Sequence, residues 1–152
     1  MKSNEQRAFS VMEIIVVIAV LGLIASLVLA QFNKIRSTQV LNNSVATVLS
    51  SLHKARSQTS ASINSSVYGV HFQSDQVILF TGTTYTAGTS SNESIAIISP
   101  ATISSISLTG GASDLYFNRL SGAPSKTGTV TVTASSVSKI ITIDATGNVS
   151  VN

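Results

Sequence analysis

The chain contains no cysteine, only two prolines among 152 residues, and just 10% charged side chains. The first absence excludes a disulfide framework, thiolate metal sites and cysteine nucleophiles together, while leaving the compartment open. Scarce charge beside an apolar fraction of 43% means that the polarity comes from uncharged residues, mainly Ser and Thr. Apolar runs recur throughout, so this is not the composition of a disordered chain. Also missing are GxSxG, P-loop, GxGxxG, HExxH and DxDxDG patterns, which leaves a nucleophile elbow, a phosphate cradle and a calcium loop unsupported. His53 and His71 have no acidic or imidazole neighbour at ligand spacing and read as surface or packing residues. Asp75, Asp114 and Asp144 fall at expected strand ends, where turn capping accounts for them. No catalytic residue, metal ligand or cofactor is expected, and the chain does not read as an enzyme.

A chain of this length holds one domain plus an appendage. Its net charge of +3 is unevenly spread. Lys2 and Arg7 against Glu5 leave the first eight residues at +1, and Lys34, Arg36, Lys54 and Arg56 against Glu13 leave the stretch to Ser60 at +3. The remainder sets Arg119, Lys126 and Lys139 against Asp75, Glu93, Asp114 and Asp144, a balance of −1. A region of that charge lacks the cluster of phosphate contacts on which sequence-independent nucleic-acid affinity rests.

From Ile14 to Ala30 every residue is apolar or small, and Phe9 and Val11 extend that character leftward. About 20 such residues suffice to cross a bilayer as a helix. The short polar leader MKSNEQRA carries Lys2 and Arg7, which by the positive-inside rule keeps that end cytoplasmic and the remainder extracytoplasmic. Glu13 stands at the entry of the apolar run, where a carboxylate either snorkels to the headgroups or needs a partner. The stretch Arg7-Ala8-Phe9-Ser10-Val11-Met12-Glu13 followed by IIVVIAVLGLIASLVLA resembles the class III signal of type IV prepilins and pseudopilins. That resemblance implies cleavage by a prepilin peptidase between Ala8 and Phe9, methylation of the new amine on Phe9, and pairing of Glu13 with that amine on a neighbouring subunit. Ala8 departs from the glycine usual before the cut.

Beyond Ala30 the helical pattern continues, with Leu41, Val45, Val48, Leu52 and Ala55 forming an apolar stripe and neither Pro nor Gly between Gln31 and Ser60. A helix from about Ser10 to Ser57, on the order of 70 Å long, is expected. Its residues 9–30 form a transmembrane half and 31–60 an amphipathic half. After a Ser-rich joint the texture becomes that of short strands. These are expected at 67–72, 76–80, 83–86, 94–98, 103–108, 114–117, 127–133, 139–144 and 148–151, within a β head spanning 61–152. The predicted fold class is α+β, a long N-terminal helix packed on a small antiparallel β-sheet or sandwich, as in the pilin fold. Leu115-Tyr116-Phe117-Asn118-Arg119-Leu120-Ser121-Gly122-Ala123-Pro124, then a Val/Thr strand and IITIDATGNVSV, is similar to the end of minor pseudopilin heads of the GspH/FimT type.

The resemblance implies a structural subunit of a type IV pilus-like filament, anchored in the bacterial inner membrane as a single pass and then assembled into a periplasmic or extracellular filament. Its partners would be other subunits, the prepilin peptidase, an inner-membrane assembly platform and membrane lipid. Two alternatives stay open. One is a secreted β-sandwich binding module released by ordinary signal cleavage after Ala30. The other is a DNA-binding minor pilin of a competence system, which would need a basic patch of Arg119, Lys126 and Lys139. Mass spectrometry of the mature amino terminus separates the first two: a chain beginning at methylated Phe9 is expected, and one beginning at Gln31 supports the secreted module.

Overall fold

The computed structural model describes residues 10–152, with the side chains of 27–33 excepted. The leader 1–8 and the cleavage pair Ala8 and Phe9 lie outside the described residues. Helical backbone covers Val11–Ser60, labelled α1. The Ser10 carbonyl accepts the N–H groups of Glu13 and Ile14 at 3.0 and 3.3 Å, and Glu13 occupies the first turn, where the helix dipole favours a carboxylate.

The expectation of one long helix with a membrane-spanning half is corrected here. Side chains are described for two helical stretches, residues 11–26 and 34–60, and the chain divides into two compact units after Arg36. Among the described residues no helix is long and apolar enough to cross a membrane. The apolar run and the amphipathic run fall in different compact units: residues 11–26 belong to the first, whereas the stripe from Leu41 to Ala55 is buried in the core of the second. The later stretch begins at Lys34 and Arg36 and is amphipathic.

The second unit, Ser37–Asn152, joins the end of α1 to two antiparallel sheets. Strands β1 (Tyr68–Phe72), β2 (Gln76–Thr81), β3 (Glu93–Ala96) and β5 (Asp114–Tyr116) form the first, in the order β3-β2-β1-β5. The second is ordered β4-β6-β7-β8, from β4 (Ala101–Leu108), β6 (Gly128–Ala134), β7 (Val137–Ile143) and β8 (Val149–Val151). In β6 the alternation follows the sequence: Val130, Val132 and Ala134 are buried while Thr129, Thr131 and Thr133 are half-buried. This is a sheet with one dry face. The β4–β6 register shifts between Ile103 and Ser105, leaving Ser104 as a bulge whose hydroxyl lies 2.8 Å from Thr133 Oγ1.

One hydrophobic cluster holds the unit together. The helix stripe Leu41, Val45, Val48, Leu52 and Ala55 is buried against inward residues of both sheets, among them Val70, Leu115, Val132 and Ile141. Three small polar residues, Ser44, Ser51 and Thr59, are buried on the same helix without having been expected there. Ser51 Oγ donates to the Thr47 carbonyl at 2.9 Å, and Thr59 Oγ1 accepts the Tyr68 N–H at 2.8 Å, fastening the helix end to the start of β1. Eight of the nine expected strands are present, and 83–86 is not one of them. The chain turns at Gly82, whose φ of 111° is open to glycine, and carries Tyr85 back over the first sheet instead of extending it. A Leu52→Ala substitution removes a fully buried side chain from the centre of this cluster. It is expected to cost about 2–5 kcal/mol, measured by urea denaturation of the full chain.

Candidate functional site

In the first unit, every large apolar side chain from Val11 to Ile24 is at least 50% exposed. Because consecutive residues point around the whole helix, no face of this stretch is polar apart from Glu13, itself exposed. A helix that is apolar on all sides demands a cover, and bare apolar patches beyond a few hundred Å² mark interaction surfaces. Of the processing and assembly residues read from the sequence, Glu13 is therefore at the start of the exposed apolar stretch, while Ala8 and Phe9 lie outside the described residues.

Two of the three basic candidates are engaged within the chain. Arg119 turns inward along the chain, donating from Nε to Ser62 Oγ at 3.4 Å and from a terminal nitrogen to the Ser65 carbonyl at 3.0 Å. Lys126 Nζ donates to the Asp114 carbonyl at 3.0 Å and lies 3.5 Å from its carboxylate. Lys139 lies on β7, opposite Val132. Two of the three cations are thus occupied locally.

What the structure does bring together is the pair of glycine turns on which the resemblance of the carboxy-terminal third rests. Arg56, on the helix, donates to the carbonyls of Gly147 and Thr146 at 3.0 and 3.1 Å. A Cβ on Gly147 (φ 77°) would meet the Gly122 carbonyl at 2.5 Å and the Arg56 guanidinium at 3.2 Å, so only glycine lets the two turns close on one cation. Asp144 organises the second turn, its Oδ1 accepting from the backbone of Thr146 and Asn148 at 2.9 Å each and from the Thr146 hydroxyl at 2.6 Å. The Thr146 hydroxyl bond, ahead of those two backbone bonds and the charge of Arg56, holds the Asp144 carboxyl below its ordinary 3.8. Arg56 was missed in the sequence, which offers no signal linking it to a carbonyl 91 residues away.

A second polar cluster lies on the outer face of the first sheet. The rings of His71 and Tyr85 stack at 3.9 Å with 7° between planes, and Tyr85 meets Phe80 edge-on at 5.8 Å. His71 Nδ1 is buried with no hydrogen-bond partner among the described residues. Burial lowers the His71 pKa from its ordinary 6.5, against the opposing pull of Asp114. No group of three or more metal-ligating side chains occurs among the described residues. Comparison with known protein families, with curated proteins and with solved structures finds no match to this chain.

The direction of the His71 shift fixes a pH dependence. The unfolded chain takes up a proton at this position before the folded one does, so the contribution of neutral His71 is fully present above pH 6.5 and is lost as pH falls below it. Asp144 acts in the same sense only below pH 3.8. The urea midpoint of the parent is expected to decline between pH 6.5 and 5, and His71→Gln to flatten that decline; equal slopes for both chains would contradict the assignment.

Proposed function

We propose that this protein is a structural subunit of a type IV pilus-like filament, of the minor pseudopilin or minor pilin kind, with no reaction of its own to catalyse. The observation that carries the reading is the stretch from Val11 to Ile24, whose large apolar side chains are exposed on every face. In the sequence the apolar run continues to Ala30, past the last side chain described in that stretch. Such a surface is stable only when covered, first by lipid of the inner membrane and then by the same stretch of other copies, so that storage and assembly use one interface. The prepilin-like signal at Ala8 and Phe9 supports this reading, as do the paired glycine turns of the carboxy-terminal third.

Glu13 supplies register. A carboxylate desolvated among apolar helices is costly unless paired. In the assembled filament its partner is the amine that cleavage creates on Phe9 of a neighbour, which penalises any other stagger. The prepilin peptidase and an inner-membrane platform act on the chain before and during assembly, and the β unit lies on the extracytoplasmic side.

For Glu13→Ala, membrane insertion is expected to equal that of the parent. A close desolvated charge pair is worth about 1.5 kcal/mol or more, so incorporation into filaments falls about tenfold or further. Membrane fractionation and quantitative blotting of sheared filaments read the two quantities separately. Incorporation at the parental level would remove the pairing role, and recovery of the parent from cells as a soluble monomer lacking residues 9–30 would remove the filament reading itself.

A further inference from the structure

The first sheet buries large apolar side chains on both of its faces, and only one face belongs to the core. Val70, Phe72, Val77, Leu79 and Leu115 lie in the cluster that the helix closes. The residues between them point the other way. There β1 sets Gly69 opposite Phe80 and His71 opposite Ile78 on β2, and on its other side the same two residues face Tyr116 and Asp114 of β5. On this outer face Ile78 and Phe80 are 4% and 1% exposed, although neither belongs to the core cluster. A Cβ at Gly69 would run into the Phe80 ring, so that ring lies close over the β1 backbone.

The segment 82–92, between β2 and β3, carries a single large side chain, Tyr85, among Gly, Thr, Ala, Ser and Asn. Its base is fixed by the Gly82 N–H, which donates to the Val67 carbonyl at 2.8 Å. Beyond that its hydrogen bonds close on itself. Asn92 donates from its backbone N–H to the Thr89 carbonyl at 3.0 Å and from Nδ2 to the Thr86 carbonyl at 2.8 Å, and Thr89 Oγ1 donates to Thr86 at 3.0 Å. Among the described residues, none of 83–91 is hydrogen-bonded to anything outside the segment. The Tyr85 ring therefore fastens it to the sheet, stacked on His71 at 3.9 Å and edge-on to Phe80 at 5.8 Å. Gly82 and Gly88 are left-handed (φ 111° and 76°), and a Cβ at either would meet nothing within 4 Å. Backbone freedom, not crowding, is what glycine supplies at both places, as in a strap with a hinge at its base and another near its middle.

We propose that this strap is a latch released by a proton, closed over the outer face of the first sheet while His71 is neutral and lifted from Phe80 when His71 is charged. His71 Nδ1 is buried with no hydrogen-bond partner among the described residues. In the imidazolium both ring nitrogens carry protons. Charging the ring thus creates a buried cationic donor with no acceptor, a costly state for a polar group out of water. Water relieves it, and the stacked Tyr85 ring must lift for water to enter. Few groups face His71. On β5 stands Asp114, whose carboxylate favours the charged ring but is shared with Lys126 Nζ 3.5 Å away. The strap contributes Tyr85, whose ring face attracts a cation weakly, and β2 contributes Ile78, which does not titrate. Burial outweighs the pull of Asp114, holding the ring below its ordinary 6.5. The latch lies wholly within the β unit and stands or falls independently of the filament reading.

With only three tyrosines and two histidines in the chain, ring signals can be followed one by one. The full chain in detergent micelles, with its Tyr, Phe and His rings isotope-labelled, is titrated by NMR from about pH 7.5 to about pH 5, the range in which histidine changes charge. Cross-relaxation of the Tyr85 ring with Phe80 and His71 is expected at the start and is lost with the same midpoint as the His71 Cε1–H shift. In Asp114→Asn the carboxylate's pull is gone, and both midpoints move together to lower pH. In Tyr85→Ala the cover over Nδ1 is gone, and the His71 midpoint rises toward 6.5. The latch is overturned if the Tyr85 contacts outlast complete titration of His71, if their loss fails to follow the His71 midpoint in Asp114→Asn, or if Tyr85→Ala leaves that midpoint unmoved.

Discussion

Neither four-stranded sheet of this protein can bury its inner face alone, and the helix stripe from Leu41 to Ala55 is what both sheets close upon. The stripe contributes residues that are almost wholly inaccessible, and the sheets answer with branched side chains from β1, β5, β6 and β7 in the same cluster. Burial of this kind is the dominant favourable contribution in a domain of this size, and it is non-directional. Directionality comes from a few polar fasteners at the rim of the core. Thr59 joins the helix end to β1, and Arg56 joins the helix to the turn after β7. The arrangement makes the later helical stretch an internal part of the β unit.

The two helical stretches illustrate opposite solutions to the same problem. Residues of the later one alternate between buried stripe and wet face, so its apolar area is satisfied within the chain. The earlier one has no wet face apart from Glu13, and its apolar area is left for something outside the chain. That contrast is the physical basis of the filament proposal. A subunit whose cover is supplied by lipid in one state and by its own kind in another needs no ligand site or reactive group to do its work. The sparse charge of the β unit fits the same picture, since most of its cations are engaged by carboxylates or carbonyls of the same chain.

Much of the β unit was legible as pattern. Val130, Val132 and the threonines between them announced a half-buried strand, and the spacing of Leu41, Val45, Val48, Leu52 and Ala55 announced the face that is buried. The long rod did not hold, because an apolar run and an amphipathic run that share helical texture need not act as one element. The expected strand at 83–86 is absent for a local reason: the chain turns at Gly82 and the ring of Tyr85 stacks on His71 instead of extending a sheet edge. Basic residues were read as a potential patch from their charge alone, whereas Arg119 and Lys126 each have a short-range acceptor that charge counting does not see.

By itself, the order of residues determined where apolar surface must be removed from water, which segments alternate as strands, and that cysteine chemistry is absent. Those properties depend on neighbours within a few residues. Tertiary structure alone decided that two turns far apart in the chain converge on Arg56, that Ser44, Ser51 and Thr59 lie inside the core, and that Leu120 is held outward beside Arg119. Each of these depends on which distant backbone groups meet, a matter of sheet order and register that short-range periodicity does not encode.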